Sequence, residues 1–176
     1  MKHITIWLII VVMAWGCKKI DKLTHFYMDY TTHCVIDQTT VFGSPFDVLT
    51  DHILTKNDSI FLAENTDKDK VSLITLRTCN LVAENPDSIP AGYFQSIEIY
   101  LIRTDTDDKL IAWNNQLTGD DYSPFPLTLT SDDLSTYLKD ESTQYRIHGE
   151  LSGQYAIKTR LKLELQYFVN ASINTK

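Results

Sequence analysis

Residues 155–173 alternate apolar and polar side chains almost without interruption. Ile157, Leu161, Leu163, Leu165, Tyr167, Val169 and Ala171 fall at one parity, and Lys158, Arg160, Lys162, Glu164 and Gln166 at the other. Successive side chains of a strand point to opposite faces, so this period of two demands a long strand with one dry face and one wet face. Wound into a helix, the same apolar residues would be spread around the whole circumference. A strand with only one dry face needs a second layer over it, which commits the chain to packed sheets.

Shorter stretches carry the same signature, rich in Thr, Tyr, Val and Ile, at 26–36, 46–54, 71–83, 96–103, 109–113, 125–130 and 143–151. In the first of these, Phe26, Met28, Tyr30, Cys34 and Ile36 share one face, and Tyr27, Asp29, Thr31 and His33 the other. At 71–83 both parities carry apolar residues, so the inward face is not assigned and both faces are expected to be partly covered. Ser152-Gly153-Gln154 reads as the turn of a hairpin joining 143–151 to 155–173. Residues 57–70 are polar around a short Ile60-Phe61-Leu62 core and are expected to form a loop or edge. Ser131 looks like a helix N-cap, followed by Asp132 and Asp133 in the first turn, Leu134, Tyr137 and Leu138 at helical spacing, and Lys139 at the end. About eight strands with turn-like connections and one short helix predict an all-β fold, an antiparallel β-sandwich, with a β-barrel as the alternative.

A chain of 176 residues that is 43% hydrophobic has enough apolar material for one self-sufficient core. Its 16 basic side chains are outnumbered by 23 acidic ones, which argues against a nucleic-acid partner.

The N-terminus indicates a destination. Lys2 supplies a positive start, residues 4–15 are apolar apart from Thr5, and Gly16 precedes Cys17. A dozen apolar residues are too few to span a bilayer, which takes roughly 20, so the run reads as a secretory signal. Ala14-Trp15-Gly16-Cys17 resembles a bacterial lipobox, in which the Cys is acylated and the chain is cut just before it. An ordinary signal peptide with an incidental Cys, or a short uncleaved anchor, are the alternatives. The expected organisation is a signal peptide over 1–16, lipidated Cys17 with a tether over 17–25 containing Lys18, Lys19 and Lys22, and a single domain over 26–176.

Candidate chemistry is sparse. Cys34 and Cys79 are the remaining thiols, and an exported compartment would permit a disulfide between them, although strand cysteines more often serve as small buried hydrophobes. His25, His33, His52 and His148 lack metal-ligand spacing, so no metal or other cofactor is expected. Asp105, Asp107 and Asp108, and separately Asn65, Asp67 and Asp69, resemble calcium loops but lack the turn Gly and the closing Glu. No nucleophile elbow, phosphate loop or Ser-x-x-Lys motif is present, and no enzymatic activity is expected. Tyr93, Phe94, Trp113, Tyr122 and Phe125 cluster near predicted turns, where lectin-like sandwiches present aromatics to sugars. Tyr93, Trp113 and Tyr122 are the candidate ligand contacts.

The lipobox and basic tether, with Asp21-Lys22-Leu23-Thr24-His25-Phe26-Tyr27-Met28-Asp29-Tyr30, Ser96-Ile97-Glu98-Ile99-Tyr100-Leu101, Asp133-Leu134-Ser135-Thr136-Tyr137-Leu138-Lys139 and the alternating last strand, together resemble a family of small all-β lipoproteins from Bacteroidota. The resemblance implies an outer-membrane lipid anchor and no reaction. Surface-exported lipoproteins of that phylum carry an acidic run after the Cys. Here Lys18-Lys19-Ile20-Asp21-Lys22 has one acid, which favours a periplasm-facing location. Asp58-Ser59-Ile60 and Asp87-Ser88-Ile89 are similar to the phylum's O-glycosylation acceptor pattern at Ser59 and Ser88. The expected function is that of a lipid-anchored, non-enzymatic envelope module that binds a protein partner or serves an envelope assembly, with a glycan-binding accessory lipoprotein as the alternative.

Overall fold

A computed structural model describes residues 23–37, 45–85, 93–103, 107–117, 124–152 and 158–173. The elements are β1 (Leu23–Ile36), β2 (Pro45–Leu49), β3 (Ile53–Leu54), α1 (Asn57–Ala63), a 3-10 turn (Lys68–Lys70), β4 (Val71–Asn85), β5 (Phe94–Ile102), β6 (Lys109–Asn114), β7 (Thr128–Leu129), α2 (Ser135–Leu138), β8 (Ser142–Leu151) and β9 (Thr159–Ser172). They form two antiparallel sheets, one of order β1-β9-β4 and one of order β2-β8-β5-β6-β7 with β3 also paired to β8. The fold is the expected all-β sandwich, and the sheets do not close into a barrel.

The long alternating strand, β9, is the centre of the three-stranded sheet. Leu161, Leu163, Leu165, Tyr167, Val169 and Ala171 are all buried, as their parity required. Its partners differ from the sequence-based expectation, because β9 pairs with β1 and β4, while β8 pairs with β2, β3 and β5 in the opposite sheet. The chain therefore crosses between layers after Leu151 instead of turning as a hairpin. The alternation is satisfied either way: the apolar faces of β8 and β9 meet across the core, where the phenol oxygens of Tyr145 and Tyr167 lie 3.0 Å apart. Both phenols are completely buried, and burial pushes both pKa values up, so each stays neutral and the pair is held by one hydrogen bond.

Segments outside the simple pattern differ in instructive ways. β1 begins at Leu23, so Leu23–His25 belong to the sheet and not to the tether. The strand expected over 46–54 is split at Thr50–His52. There the Thr50 hydroxyl accepts the Tyr145 N–H, and the Asp51 N–H donates to the His33 carbonyl, stitching this edge to β1. Residues 57–63 form α1, not a loop, because Phe61 is driven fully into the core and Asn57 anchors the first turn. In β4 the mixed parity is explained by three register shifts against β9, each of which exchanges the inward and outward faces. The 125–130 segment is divided between sheets, with Phe125 bridging to Leu81 of β4 and Thr128–Leu129 pairing with β6.

The helix expected from Ser131 is only the single turn α2, and Ser131 is not its cap. The preceding residues are held extended along β4: the Leu134 N–H donates to the Ile74 carbonyl, and the Ile74 N–H donates to Asp133 Oδ1. The same Asp133 carboxylate accepts the Ser135 N–H and hydroxyl. Burial alone would raise its pKa, but the backbone donors of Ser135 and Ile74 outweigh that effect and hold it below the usual carboxylate value. A lowered folded-state pKa gives stability that is complete at neutral pH and is lost as acid protonates the group below about pH 4. Asp133→Ala is therefore expected to cost about 1–2 kcal/mol at pH 7, mainly from the bare Ile74 N–H. The difference from wild type in urea unfolding should shrink on acidification. A difference that is flat from pH 7 to pH 3 would assign the role to packing.

Candidate functional site

The candidate residues lie in separate parts of the fold. Tyr93 is 4% exposed and packs edge-on against Phe94, which also meets Phe46 and Phe125. These rings seal one end of the sandwich, which corrects the assignment of Tyr93 as a ligand contact. Trp113 is half-buried on the outer face of β6, opposite Glu98 and Thr128. Cys17, Ser88 and Tyr122 lie outside the described residues. Ser59 is exposed in the first turn of α1, not in a loop.

Cys34 and Cys79 are both buried and unlinked. They sit on opposite sides of β9, opposite Leu161 and Leu165 respectively. With strands ~4.8 Å apart and a rise of ~3.3 Å per residue, that register separates them by ~10 Å across the sheet and ~13 Å along it. A disulfide needs Cα atoms within about 7 Å, so the bond is geometrically excluded. Burial pushes both thiols up to about 12, so neither supplies a thiolate at neutral pH.

The outer face of the larger sheet carries a row of side chains in register: Asp47, His148, Glu98, Trp113 and Thr128, one from each of β2, β8, β5, β6 and β7. Beside it runs Leu49, Arg146, Tyr100 and Leu110. These groups satisfy one another. Arg146 lies 2.9 Å from Asp108 and 4.9 Å above the Tyr100 ring, and His148 lies 3.5 Å from Asp47. Tyr100 donates to Glu98 at 2.6 Å, a bond that with partial burial and the Glu98 charge pushes the phenol up to about 12. Such a network fastens a wet sheet face and leaves few groups free for a ligand.

The outer face of the smaller sheet is different. Tyr27, Phe168 and Thr75 form a row across β1, β9 and β4. His25 stacks on Phe168 with centroids 5.5 Å apart, and Tyr27 meets the same ring edge-on at 5.8 Å. Tyr27 is 54% exposed. Beyond β4, Thr130 and Ser131 form a wall, held there by the Asp133 and Leu134 clamp on Ile74. The open groove between rings and wall has a volume of about 450 Å³ and is lined by Tyr27, Thr75, Leu76, Arg77, Thr130, Ser131 and Phe168.

Arg77 reaches this groove through a β-bulge. Leu76 and Thr78 oppose the consecutive residues Tyr167 and Gln166 of β9, leaving Arg77 as the extra residue of β4. Bulges re-aim side chains, and here Arg77 and Thr78 are both exposed in succession. Other cations on this face have acid partners: Arg160 and His33 pair with Glu84, and Lys162 with Glu164. The acid of the neighbouring row, Asp29, accepts from Gln166 Nε2 at 2.9 Å. Arg77 has no hydrogen-bond or ion-pair partner among the described residues.

None of the groove side chains was a candidate from the sequence alone. Tyr27 and Phe168 were legible in principle, as aromatics at the outward parity of alternating strands. Arg77 was not, because its orientation depends on the bulge.

A second cavity, of about 140 Å³, is lined by His52, Arg103, Tyr137, Asp140 and backbone neighbours from β8, and its Arg103 and Asp140 already pair at 3.7 Å. Of the acidic segments, Asp105 lies outside the described residues, Asp67 accepts the Asp69 N–H, and Asp108 pairs with Arg146. Among the described residues no three His, Cys, Asp or Glu side chains converge on a metal-sized site, and no helix is long and apolar enough to cross a membrane. No protein-family model matches the chain, and no curated protein matches it in sequence.

Proposed function

We propose that this chain is a non-enzymatic binding module of a bacterial envelope, tethered through lipid on Cys17, which takes its ligand in the Tyr27–Phe168 groove. The observation that carries the reading is a set of stacked rings left open on an otherwise solvated sheet face, beside a walled groove of about 450 Å³. An isolated domain gains nothing from exposing Tyr27 and leaving Phe168 half-covered there, whereas a ligand covering them gains about 25 cal/mol per Å² of apolar surface. An envelope protein is one occupant. A glycan is favoured by the setting of the rings among the Thr75, Thr130 and Ser131 hydroxyls, since a sugar offers an apolar C–H face to a ring and hydroxyls to its rim.

Two variants test the reading. Cys17→Ala should move the chain from the membrane fraction to the soluble fraction. The double variant Tyr27→Ala/Phe168→Ala should remain folded, because the rings lie outside the core, yet lose at least tenfold in retention on immobilised envelope extract. Protease or periodate treatment of the extract then distinguishes protein from glycan. Retention unchanged by the double variant would rule out the groove.

A further inference from the structure

We infer that the groove selects an acidic saccharide, with a sugar ring on Tyr27 and Phe168 and its carboxylate held by Arg77. This rests on the groove being the binding site and specifies what fills it.

A guanidinium on a solvated sheet face ordinarily pairs with a neighbouring carboxylate, as Arg160 does with Glu84 and Arg146 with Asp108 on this molecule. Arg77, itself the extra residue of the β4 bulge against β9, instead has no side-chain partner among the described residues and stands in the wall of a groove. The nearest acidic row offers it nothing, since Asp29 is engaged by Gln166. A planar fork of N–H donors matches a carboxylate in two parallel bonds, a geometry an ammonium cannot supply.

The remaining lining fits the rest of such a ligand. Phe168 is held by His25 stacked on one of its faces and by Tyr27 edge-on, so the ring cluster is ordered before a ligand arrives and loses little side-chain freedom on binding. Thr75, next to Phe168 in the same row, and Thr130 and Ser131 of the opposite wall add hydroxyl-bearing side chains to the lining. Aromatic floor, hydroxyl rim and one cationic fork describe a pyranose bearing a carboxylate. A lipid surface would call for rings projecting from a convex face, whereas these line a concavity bounded by the 130–131 wall.

The test uses the chain purified in detergent micelles, titrated calorimetrically with oligogalacturonate and with its methyl ester, in which each carboxylate charge is replaced by a neutral methyl ester. The free acid should bind at least tenfold more tightly than the ester. Arg77→Gln should abolish that preference, Arg77→Lys should restore it only in part, and Tyr27→Ala/Phe168→Ala should weaken both ligands. The Trp113 indole resonance, on the opposite sheet, should not move. Equal affinity for acid and ester, with both lost in the ring variant, would overturn the acidic preference and leave the groove intact. Binding that moves Trp113 and ignores the ring variant would overturn both readings. Failure of both saccharides, with Arg77-dependent binding to phosphatidylglycerol vesicles, would replace the saccharide with a lipid surface. Failure of saccharides and vesicles alike would overturn the proposal outright.

Discussion

Gly149→Ala, the addition of a single methyl group, is expected to lower stability by about 3 kcal/mol or more. Gly149 lies on the inward face of β8, between Phe46 of β2 and Ile97 of β5. A Cβ there would fall 2.4 Å from the Ser96 carbonyl oxygen and 2.8 Å from the Phe46 ring. The ring could rotate aside, but the carbonyl belongs to β5, where a register shift between Phe94 and Ser96 fixes its position. The sheet would have to separate locally to admit one methyl group. For a domain of this size the cost corresponds to a drop of roughly 10 °C in Tm, measurable by calorimetry. Adding Phe46→Ala should not rescue the variant, because the backbone clash persists. A Tm within about 1 °C of wild type would show that β5 yields freely at this point.

Asn57→Ala is expected to cost about 3–5 kcal/mol, more than its size suggests. Asn57 is 1% exposed and satisfies three groups at once. Its Oδ1 accepts from the Tyr30 hydroxyl, and its Nδ2 donates to the carbonyls of Leu138 and Asp140. One side chain thus ties α1 to β1 and to the end of α2, and alanine would leave a phenol and two carbonyls without that partner. Burial pushes the Tyr30 phenol well above its ordinary pKa despite the bond to Asn57, so it remains a neutral donor. The urea midpoint should fall without a change in m-value, and amide exchange in α1 should accelerate before that in β9. Tyr30→Phe should cost far less in the Asn57→Ala background than in wild type, because the phenol has already lost its acceptor. Equal costs in both backgrounds would show that the two side chains act independently.

Both residues show how much of the fold can be read in a single chain. Gly149 interrupts an inward row of larger side chains, Thr143, Tyr145, Ile147 and Leu151, a mark of close backbone approach, yet nothing nearby in sequence names Ser96 as the backbone it approaches. Asn57 reads as one more polar residue in a polar stretch. Its burial follows from carbonyls about eighty positions away, and no local pattern encodes that separation. At the candidate site, the exposure of Tyr27 and Phe168 follows from parity. Their adjacency follows only from the β1–β9 register, and the aim of Arg77 only from the bulge in β4.

The alternation of side chains pointed, before any coordinates, to an all-β fold, a sandwich with a barrel as the alternative, and to which side of β1 and β9 is dry. Hydrophobic burial is a property of each strand's own pattern, so it survives any rearrangement of neighbours. The tertiary structure alone decided that β9 lies between β1 and β4, that β8 belongs to the opposite layer, and that Cys34 and Cys79 stand too far apart to join. Backbone hydrogen bonds form the same ladder with any partner strand. The choice among partners therefore rests on how complementary surfaces fill one core, which no segment specifies by itself.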